Sequence, residues 1–438
     1  MSRLALLGGT PIRTKPFPSW PVFDEGEEVA VLELIKSGQW WCYSFGEGSG
    51  ESEPEAGQPR SKVAEFQTDF ARLQGAKYGI ACGSGTAAIE VALKALGVGP
   101  GDEVIVPPYT FVATASAVLL VNAIPIFADI DPDTFNLDPK RAQEAITPRT
   151  RAIIPVHFAG QAADLKAIMD IAKARSLVVI EDAAHGHGGE WNGCGLGSIG
   201  DAGTFSFQAS KNMTAGEGGL ITTGSREVAA LCESYIWGGR KSGAPWYEHY
   251  RLGWNYRMTE FQGAILSVQL RRVREQNATR RQNALHLDRR LSEIPGIRPL
   301  ALREYATRHS HHIYIFRFDP ETFGASRERF LDALAAEGVP CASGYGFPLY
   351  KNPMFLKQDF NPRGCPLTCG HYDHSIDYAS FEALCPAAER ACREAVWLEH
   401  RLLLGTPEDM DDIARAVEKI YEHRAELGAP AKQSTARS

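Results

Sequence analysis

The sequence has no uninterrupted apolar run of about 18 residues, which excludes a membrane-spanning helix of ordinary length. Its positive charge is not in excess either: 46 Lys and Arg stand against 53 Asp and Glu, a formal net charge of -7. Nucleic-acid binders usually carry basic stripes, so neither nucleic acid nor a membrane surface is an expected partner. An anionic small substrate stays open, because local pocket charge matters more than the total. Cysteine is sparse, nine in 438 residues, too few for a disulfide scaffold, and a cytosolic setting would keep them reduced. The cluster Cys365, Cys369, His371, His374 and Cys385 begins with a C-x3-C spacing. The surrounding residues 361–377 are rich in Pro, Gly and polar side chains and read as a surface loop, so no metal is expected. The N-terminal apolar run at 4–7 is too short for the core of a signal peptide, and the expectation is a soluble, cytoplasmic protein.

What is present is enough hydrophobic material, 44% of the chain, for a large core, with 42 Gly and 26 Pro as punctuation. That favours a loop-rich α/β chain over a helical bundle. Residues 1–60 read as an N-terminal arm with an acidic stretch, 44–60, whose Glu47, Glu51, Glu53 and Glu55 sit among Gly, Ser and Pro and predict a mobile loop. Before it, Asp24 can cap a helix that Gly38 stops. After it, Ser61 can cap a helix with Val63, Phe66, Phe70 and Leu73 on one face. Short β-like runs at 78–82, 103–106, 124–128, 152–156, 178–181 and 219–222 then alternate with helical patterns at 86–96, 110–121 and 165–174. This rhythm predicts a mostly parallel sheet covered on both faces, with ligands at the carboxyl ends of the strands. The large domain is expected over 61–275 and a smaller α+β domain over 276–426, with one long helical stretch at 258–291 leading into it. Residues 427–438 read as a frayed tail. There is no internal repeat.

Four strand-end segments together describe a pocket for an anionic, aromatic aldehyde. Gly83-Ser84-Gly85-Thr86 follows a strand and opens a helix, so backbone N–H groups, a helix N-terminus and hydroxyls can converge on a phosphate. Alone it is an ordinary βα turn. Pro108-Tyr109-Thr110-Phe111 places an aromatic ring beside that turn, able to stack on a flat heterocycle. Val178-Val179-Ile180-Glu181-Asp182-Ala183-Ala184-His185 ends an apolar strand in an acid; a carboxylate there can keep a pyridine nitrogen protonated, or merely cap the next turn. Thr204-Phe205-Ser206-Phe207-Gln208-Ala209-Ser210-Lys211, followed by Gly216-Glu217-Gly218-Gly219, lets a lysine leave a strand and reach the pocket, where burial would depress its pKa and let it condense with an aldehyde.

In this order, the four segments resemble the DegT-type family of fold type I pyridoxal-phosphate enzymes, which includes nucleotide-sugar and cyclitol aminotransferases and aminohydroxybenzoate synthases. The resemblance runs from Gly8-Gly9-Thr10-Pro11 to Leu402-Leu403-Leu404-Gly405 and includes Gly253-Trp254-Asn255-Tyr256-Arg257-Met258, Tyr345-Gly346-Phe347-Pro348-Leu349-Tyr350 and Cys385-Pro386. It implies pyridoxal 5'-phosphate as cofactor, with Gly85, Thr86 and Ser206 on the phosphate and Asn255 reaching in from the second subunit of a homodimer. It further implies Phe111 or His185 against the ring, Asp182 on its nitrogen and Lys211 as the Schiff-base lysine. Lysine at 211 argues against the sugar-dehydratase branch, in which histidine stands there.

The resemblance implies an aminotransferase that moves an amino group from glutamine or glutamate to a keto-cyclitol or keto-sugar. His185 and Gln208 look like the cyclitol and aminohydroxybenzoate branch, which implies glutamine as donor and a free carbocyclic ketone as acceptor. The alternatives are a nucleotide-linked keto-sugar aminotransferase using glutamate, or a non-catalytic pyridoxal-phosphate protein acting in regulation.

Overall fold

Local capping sets the first elements. The Asp24 side chain accepts from the backbone N–H of Gly26, and the Glu27 side chain accepts from that of Asp24, which opens helix α1 (Glu25–Ser37). Gly38, in the left-handed region at φ 65°, closes it. Ser61 caps α2 (Lys62–Gln74), which buries Val63, Phe66 and Phe70 as its periodicity predicts. The computed structural model describes residues 3–50, 60–361, 364–368 and 370–428.

The large domain is built on a seven-stranded sheet. Its strands are β1 (Tyr78–Cys82), β2 (Glu103–Val106), β3 (Ile124–Phe127), β4 (Thr150–Ile153), β5 (Val178–Asp182), β8 (Ala202–Ser206) and β9 (Gly219–Thr223), in the order β1-β9-β8-β5-β4-β2-β3. A two-stranded hairpin, β6 (Glu190–Trp191) and β7 (Cys194–Gly195), lies between β5 and β8 in sequence. Within the seven-stranded sheet only β9 runs against its neighbours; every other pairing is parallel. Helices α3 (Gly85–Ala95), α4 (Ala113–Leu120), α5 (Pro139–Glu144), α6 (Leu165–Arg175) and α7 (Arg226–Ile236) complete this domain. All residues of β2, β8 and β9 are buried, as expected of strands covered on both faces.

Helix α8 (Glu260–Leu291) leaves the large domain and runs unbroken through the expected boundary at 275 and 276. Beyond it, β10 (Ile297–Pro299), β11 (Ile313–Phe318) and β12 (Ala395–Glu399) form a three-stranded antiparallel sheet packed against helices Arg327–Ala336 and Pro407–Glu422. The chain is therefore α/β with a fold type I arrangement: one large, mostly parallel domain and a smaller C-terminal α+β domain.

Three segments differ from their sequence expectation. The helix expected from 110 begins at Ala113, which leaves Phe111 outside it and 59% exposed. The strand expected over 152–156 ends at Ile153: Pro155 has no N–H to extend the ladder, and Val156 makes only a single bridge to Asp182. The acidic stretch is not free over 44–50. The buried Glu233 carboxylate accepts from Tyr43 Oη (2.7 Å), Ser49 Oγ (2.7 Å) and the backbone N–H of Gly46 (2.9 Å), pinning these residues against α7. Glu51, Glu53 and Glu55 lie outside the described residues, as do Cys369 and most of the expected tail.

The N-terminal arm packs on the small domain, with Leu4 and Phe17 in its core. Buried Glu337 receives the backbone N–H of Ala5 (2.8 Å) and Ile12 (2.9 Å) and pairs with Lys419 at 2.9 Å. Among the described residues no helix is long and apolar enough to cross a membrane, and no group of three or more His, Cys, Asp or Glu is arranged to hold a metal ion.

Candidate active site

Adjacent acids on β5 are separated by the pleat, which sends successive side chains to opposite faces. Glu181 turns away from the binding edge and is fully used: His157 Nε2 lies 2.8 Å away, and the backbone N–H groups of Gly197, Ile199 and Gly200 donate to it at 2.7–2.8 Å. Burial pushes its pKa up, but His157 and these amides outweigh burial and leave it below the ordinary range. Asp182 faces a cavity of about 570 Å3 at the strand ends. It accepts from Thr114 Oγ1 at 2.7 Å and from the Ala184 N–H at 3.2 Å. Burial raises its pKa, and the Thr114 bond is the first of the effects opposing that rise.

The same cavity is lined by Ser84, Gly85, Thr86, Phe111, His185, Ser206 and Lys211. Ser84 caps α3 by accepting from the Ala87 N–H at 3.1 Å, so the start of that helix opens onto the cavity. The approach of β8 explains Gly85: a Cβ there would lie 2.7 Å from Ser206 Cβ. Any side chain at 85 would force the hydroxyl-bearing strand end away from the helix start.

Lys211 follows a tight turn in which its N–H donates to the Gln208 carbonyl at 2.9 Å, and Gln208 Oε1 accepts from both the Ser210 N–H and Oγ at 2.8 Å. Gln208 thus shapes the turn as well as lining the cavity. Burial lowers the Lys211 pKa to about 8, against an opposing effect of the Asp182 charge. The His185 imidazole is buried, stands 4.1 Å from the His312 ring, and has no hydrogen-bond partner for Nδ1. Burial, followed by the charge of Lys211, pushes its pKa well below the ordinary histidine value.

A second chamber of about 700 Å3 joins the first at Phe111, His185, Ser210 and Lys211. Its further wall includes Trp20, His312, Tyr345, Trp397, Glu399 and His400. These residues come from the N-terminal arm, the segment entering β11, the loop around Tyr345, and β12 with the residue after it, and sequence reasoning missed them as a set. The string His309-Ser310-His311-His312 was the available signal. Seven of the eight predicted site residues meet in one cavity. Asn255 does not: it is exposed and does not line either chamber of its own chain.

The arrangement fits pyridoxal phosphate. One end offers a capped helix start and hydroxyls for a phosphate, the other a buried carboxylate for a ring nitrogen, and a lysine of depressed pKa stands between two chambers. The fold and site define a fold type I pyridoxal-phosphate-dependent aminotransferase. The chain belongs to the DegT/DnrJ/EryC1/StrS aminotransferase family, whose model matches residues 57–388. It is 40% identical over 425 residues to a Streptoalloteichus tenebrarius protein provisionally named L-glutamine:3-amino-2,3-dideoxy-scyllo-inosose aminotransferase, covering 96% of this chain and 98% of that one. It is 39% identical over 439 residues to the L-glutamine:2-deoxy-scyllo-inosose aminotransferase of Streptomyces kanamyceticus, covering 98% and 99%. Among solved structures, 3-amino-5-hydroxybenzoic acid synthase superposes with a TM-score of 0.81 at 33% identity, over 94% of this chain and 100% of that one.

Proposed function

We propose that this enzyme transfers the amino group of L-glutamine to the ring ketone of a free cyclitol of the deoxy-scyllo-inosose type. The observation that carries the reading is the placement of the Lys211 amine between a cofactor-shaped cavity and a second, open chamber. The names of the relatives support the donor and the acceptor class.

Pyridoxal phosphate, when bound, supplies an aldehyde that condenses with amines and a ring that accepts electrons. Gly85, Thr86 and Ser206 would hold its phosphate, Asp182 would keep its ring nitrogen protonated, and His185 or Phe111 would cover a ring face. Lys211 would anchor it at rest. Once displaced by the donor, the free Lys211 amine would be placed to take the proton from the donor α-carbon and, in the acceptor half, to give a proton to the former ketone carbon of the acceptor. An amine with a pKa near 8 exchanges protons close to neutral pH more readily than an ordinary lysine.

His312 supports glutamine as donor. Asn212 Nδ2 donates to the Ser310 carbonyl at 2.8 Å, so its Oδ1 accepts from His312 Nδ1 at 3.0 Å, and His312 Nε2 is left as a neutral acceptor on the chamber wall. Burial, with the neighbouring histidine and lysine charges, keeps that imidazole uncharged. A neutral acceptor matches a carboxamide N–H and offers nothing to a carboxylate. A second reading, an acceptor that already carries an amino group, is supported by the name of the Streptoalloteichus tenebrarius relative; the carboxylate on the same wall, Glu399, is paired with Arg401.

The protein acts as a homodimer in this reading. Asn255 of each chain completes the phosphate site of the other, which agrees with its absence from its own cavity. The adjoining segment supports an interface: Tyr247 is 78% and Leu252 83% exposed, with Trp246 stacked on Tyr247.

The test is a stopped-flow comparison of glutamine and glutamate, read as conversion to pyridoxamine phosphate, followed by turnover of keto-cyclitols with and without an amino group. Rapid conversion by glutamine is expected. Conversion by glutamate alone, with turnover of a nucleotide-linked keto-sugar, would overturn the reading.

A further inference from the structure

Arg280, on α8, is fully buried, and among the described residues no carboxylate pairs with it. A buried cation without an acidic partner is expensive unless hydrogen bonds hold it in place. The guanidinium donates to Asn277 Oδ1 at 3.0 Å, to Gln276 Oε1 at 3.4 Å and to His400 Nδ1 at 3.2 Å, and it lies over the Trp20 ring at 5.6 Å.

The bond to His400 fixes a tautomer. Arginine only donates, so His400 Nδ1 must be the acceptor, and its proton must sit on Nε2. Nε2–H then donates to the Ser210 carbonyl at 3.0 Å. Burial and the Arg280 charge hold the His400 pKa well below the ordinary value, so the ring stays in this neutral form. Trp20 packs edge-on against His400 at 4.5 Å and donates its Nε1–H to the Ala209 carbonyl at 2.9 Å. The two carbonyls immediately before Lys211 are therefore both held by groups from outside the large domain.

We propose that Arg280 and His400 are positioning residues for Lys211, a relay in which Arg280 sets the His400 tautomer and His400 holds the Ser210 carbonyl. The inference rests on the reading of Lys211 as the lysine that anchors the cofactor. Apart from the Trp20 bond to the Ala209 carbonyl, the turn Gln208-Ala209-Ser210-Lys211 is closed by the local bonds of Gln208 and Ser210, and Ser210 is exposed to the chamber. Without the relay only Trp20 would hold the turn from outside the large domain, and a displacement of the amine of about 1 Å can lower turnover by roughly 10²-fold. The relay also joins the two domains across the site: Arg280 comes from the connecting helix, His400 from the end of β12, and Ser210 from the large domain.

The test uses the full-length, cofactor-loaded protein. His400→Phe keeps a ring against Trp20 and His312 but removes both hydrogen bonds. His400→Gln keeps an oxygen for Arg280 and an N–H for the Ser210 carbonyl. The phenylalanine variant should lose about tenfold in kcat, with less change in KM for glutamine, and its Ser210 and Lys211 amides should exchange hydrogen faster. The glutamine variant should recover most of both losses. Equal turnover and exchange in the two variants, at similar melting temperatures, would overturn the relay. If His400→Phe does not fold, Arg280→Met carries the test: faster exchange at Ser210 and Lys211 is expected, and unchanged exchange there overturns the proposal. Failure of the underlying Lys211 reading has a separate signature, a borohydride adduct on another lysine of the unmutated protein.

Discussion

Thr114 donates its hydroxyl to Asp182 Oδ2 at 2.7 Å and lies 3.0 Å from the Thr110 hydroxyl, so a short buried chain of hydroxyls ends on the carboxylate. Burial raises the Asp182 pKa and this bond opposes the rise. Thr114→Val keeps the shape and removes the donor. The Asp182 pKa should climb further, so its ionised form is lost at a higher pH. The acid limb of kcat/KM should shift upward, and kcat at neutral pH should fall about five- to tenfold. Asp182→Asn should fold normally and lose roughly 10²–10⁴ in kcat, because the ring nitrogen loses its counter-charge. A pH profile for each variant checks both; near-normal turnover in Asp182→Asn would reduce Asp182 to a turn cap.

Lys211 has its own pH signature. Its neutral amine is the reactive form, and its pKa sits at about 8 rather than at the ordinary lysine value. In protein stripped of cofactor, the rate at which Lys211 reacts with an added aldehyde should rise with pH and level off above about 8. An ordinary lysine would keep gaining to beyond about pH 10. Borohydride treatment of loaded protein should place the cofactor on Lys211 by mass spectrometry, and Lys211→Ala should lose several orders of magnitude in turnover. A rate still climbing steeply well above the expected plateau would show that burial does not depress this amine.

Glu233 carries a stability prediction. Glu233→Ala strips the acceptor from the Tyr43 and Ser49 hydroxyls and the Gly46 N–H at once, all in a buried setting. The loss should be about 3 kcal/mol, read as a lower urea midpoint, and proteases should cut more readily within 43–50. Wild-type stability in this variant would mean that water replaces the carboxylate without penalty.

The parts of the site that were legible in sequence are those whose signals are local. Asp182 ends an apolar run, Lys211 follows a strand by a short turn, and Ser84, Gly85 and Thr86 form one strand-to-helix turn; strand period, helix cap and glycine content mark them without knowledge of the fold. Thr114 was not legible because its role depends on α4 starting at Ala113, three residues later than periodicity suggested. Trp20, Arg280, His312 and His400 were not legible because only the packing of the small domain and N-terminal arm brings them to Lys211. The mobility read into 44–50 failed for the same reason. A composition poor in apolar residues says nothing of a buried carboxylate nearly two hundred residues away that satisfies its amides.

The last prediction concerns Asn255. Its backbone is fixed: Trp254 N–H donates to the Tyr235 carbonyl at 2.7 Å, and Asn255 bridges to Trp237, yet its side chain is exposed and outside its own cavity. A residue held rigidly but presented outward suits a contact with a second subunit. Lys211→Ala and Asn255→Ala should each be inactive as homodimers, the first without its anchoring amine and the second with a weakened phosphate site. In a mixed dimer with Asn255 acting in trans, the Asn255→Ala chain keeps Lys211 and receives an intact Asn255 from its partner. Its own site is then whole, and the other site carries both defects. Dimers purified with two different affinity tags should recover close to half of wild-type activity per dimer. If Asn255 acted within its own chain, each site would keep one defect and the mixed dimer would stay inactive. Activity recovered only in the mixed species therefore separates the two geometries, and its absence from verified heterodimers would place Asn255 outside the partner's site.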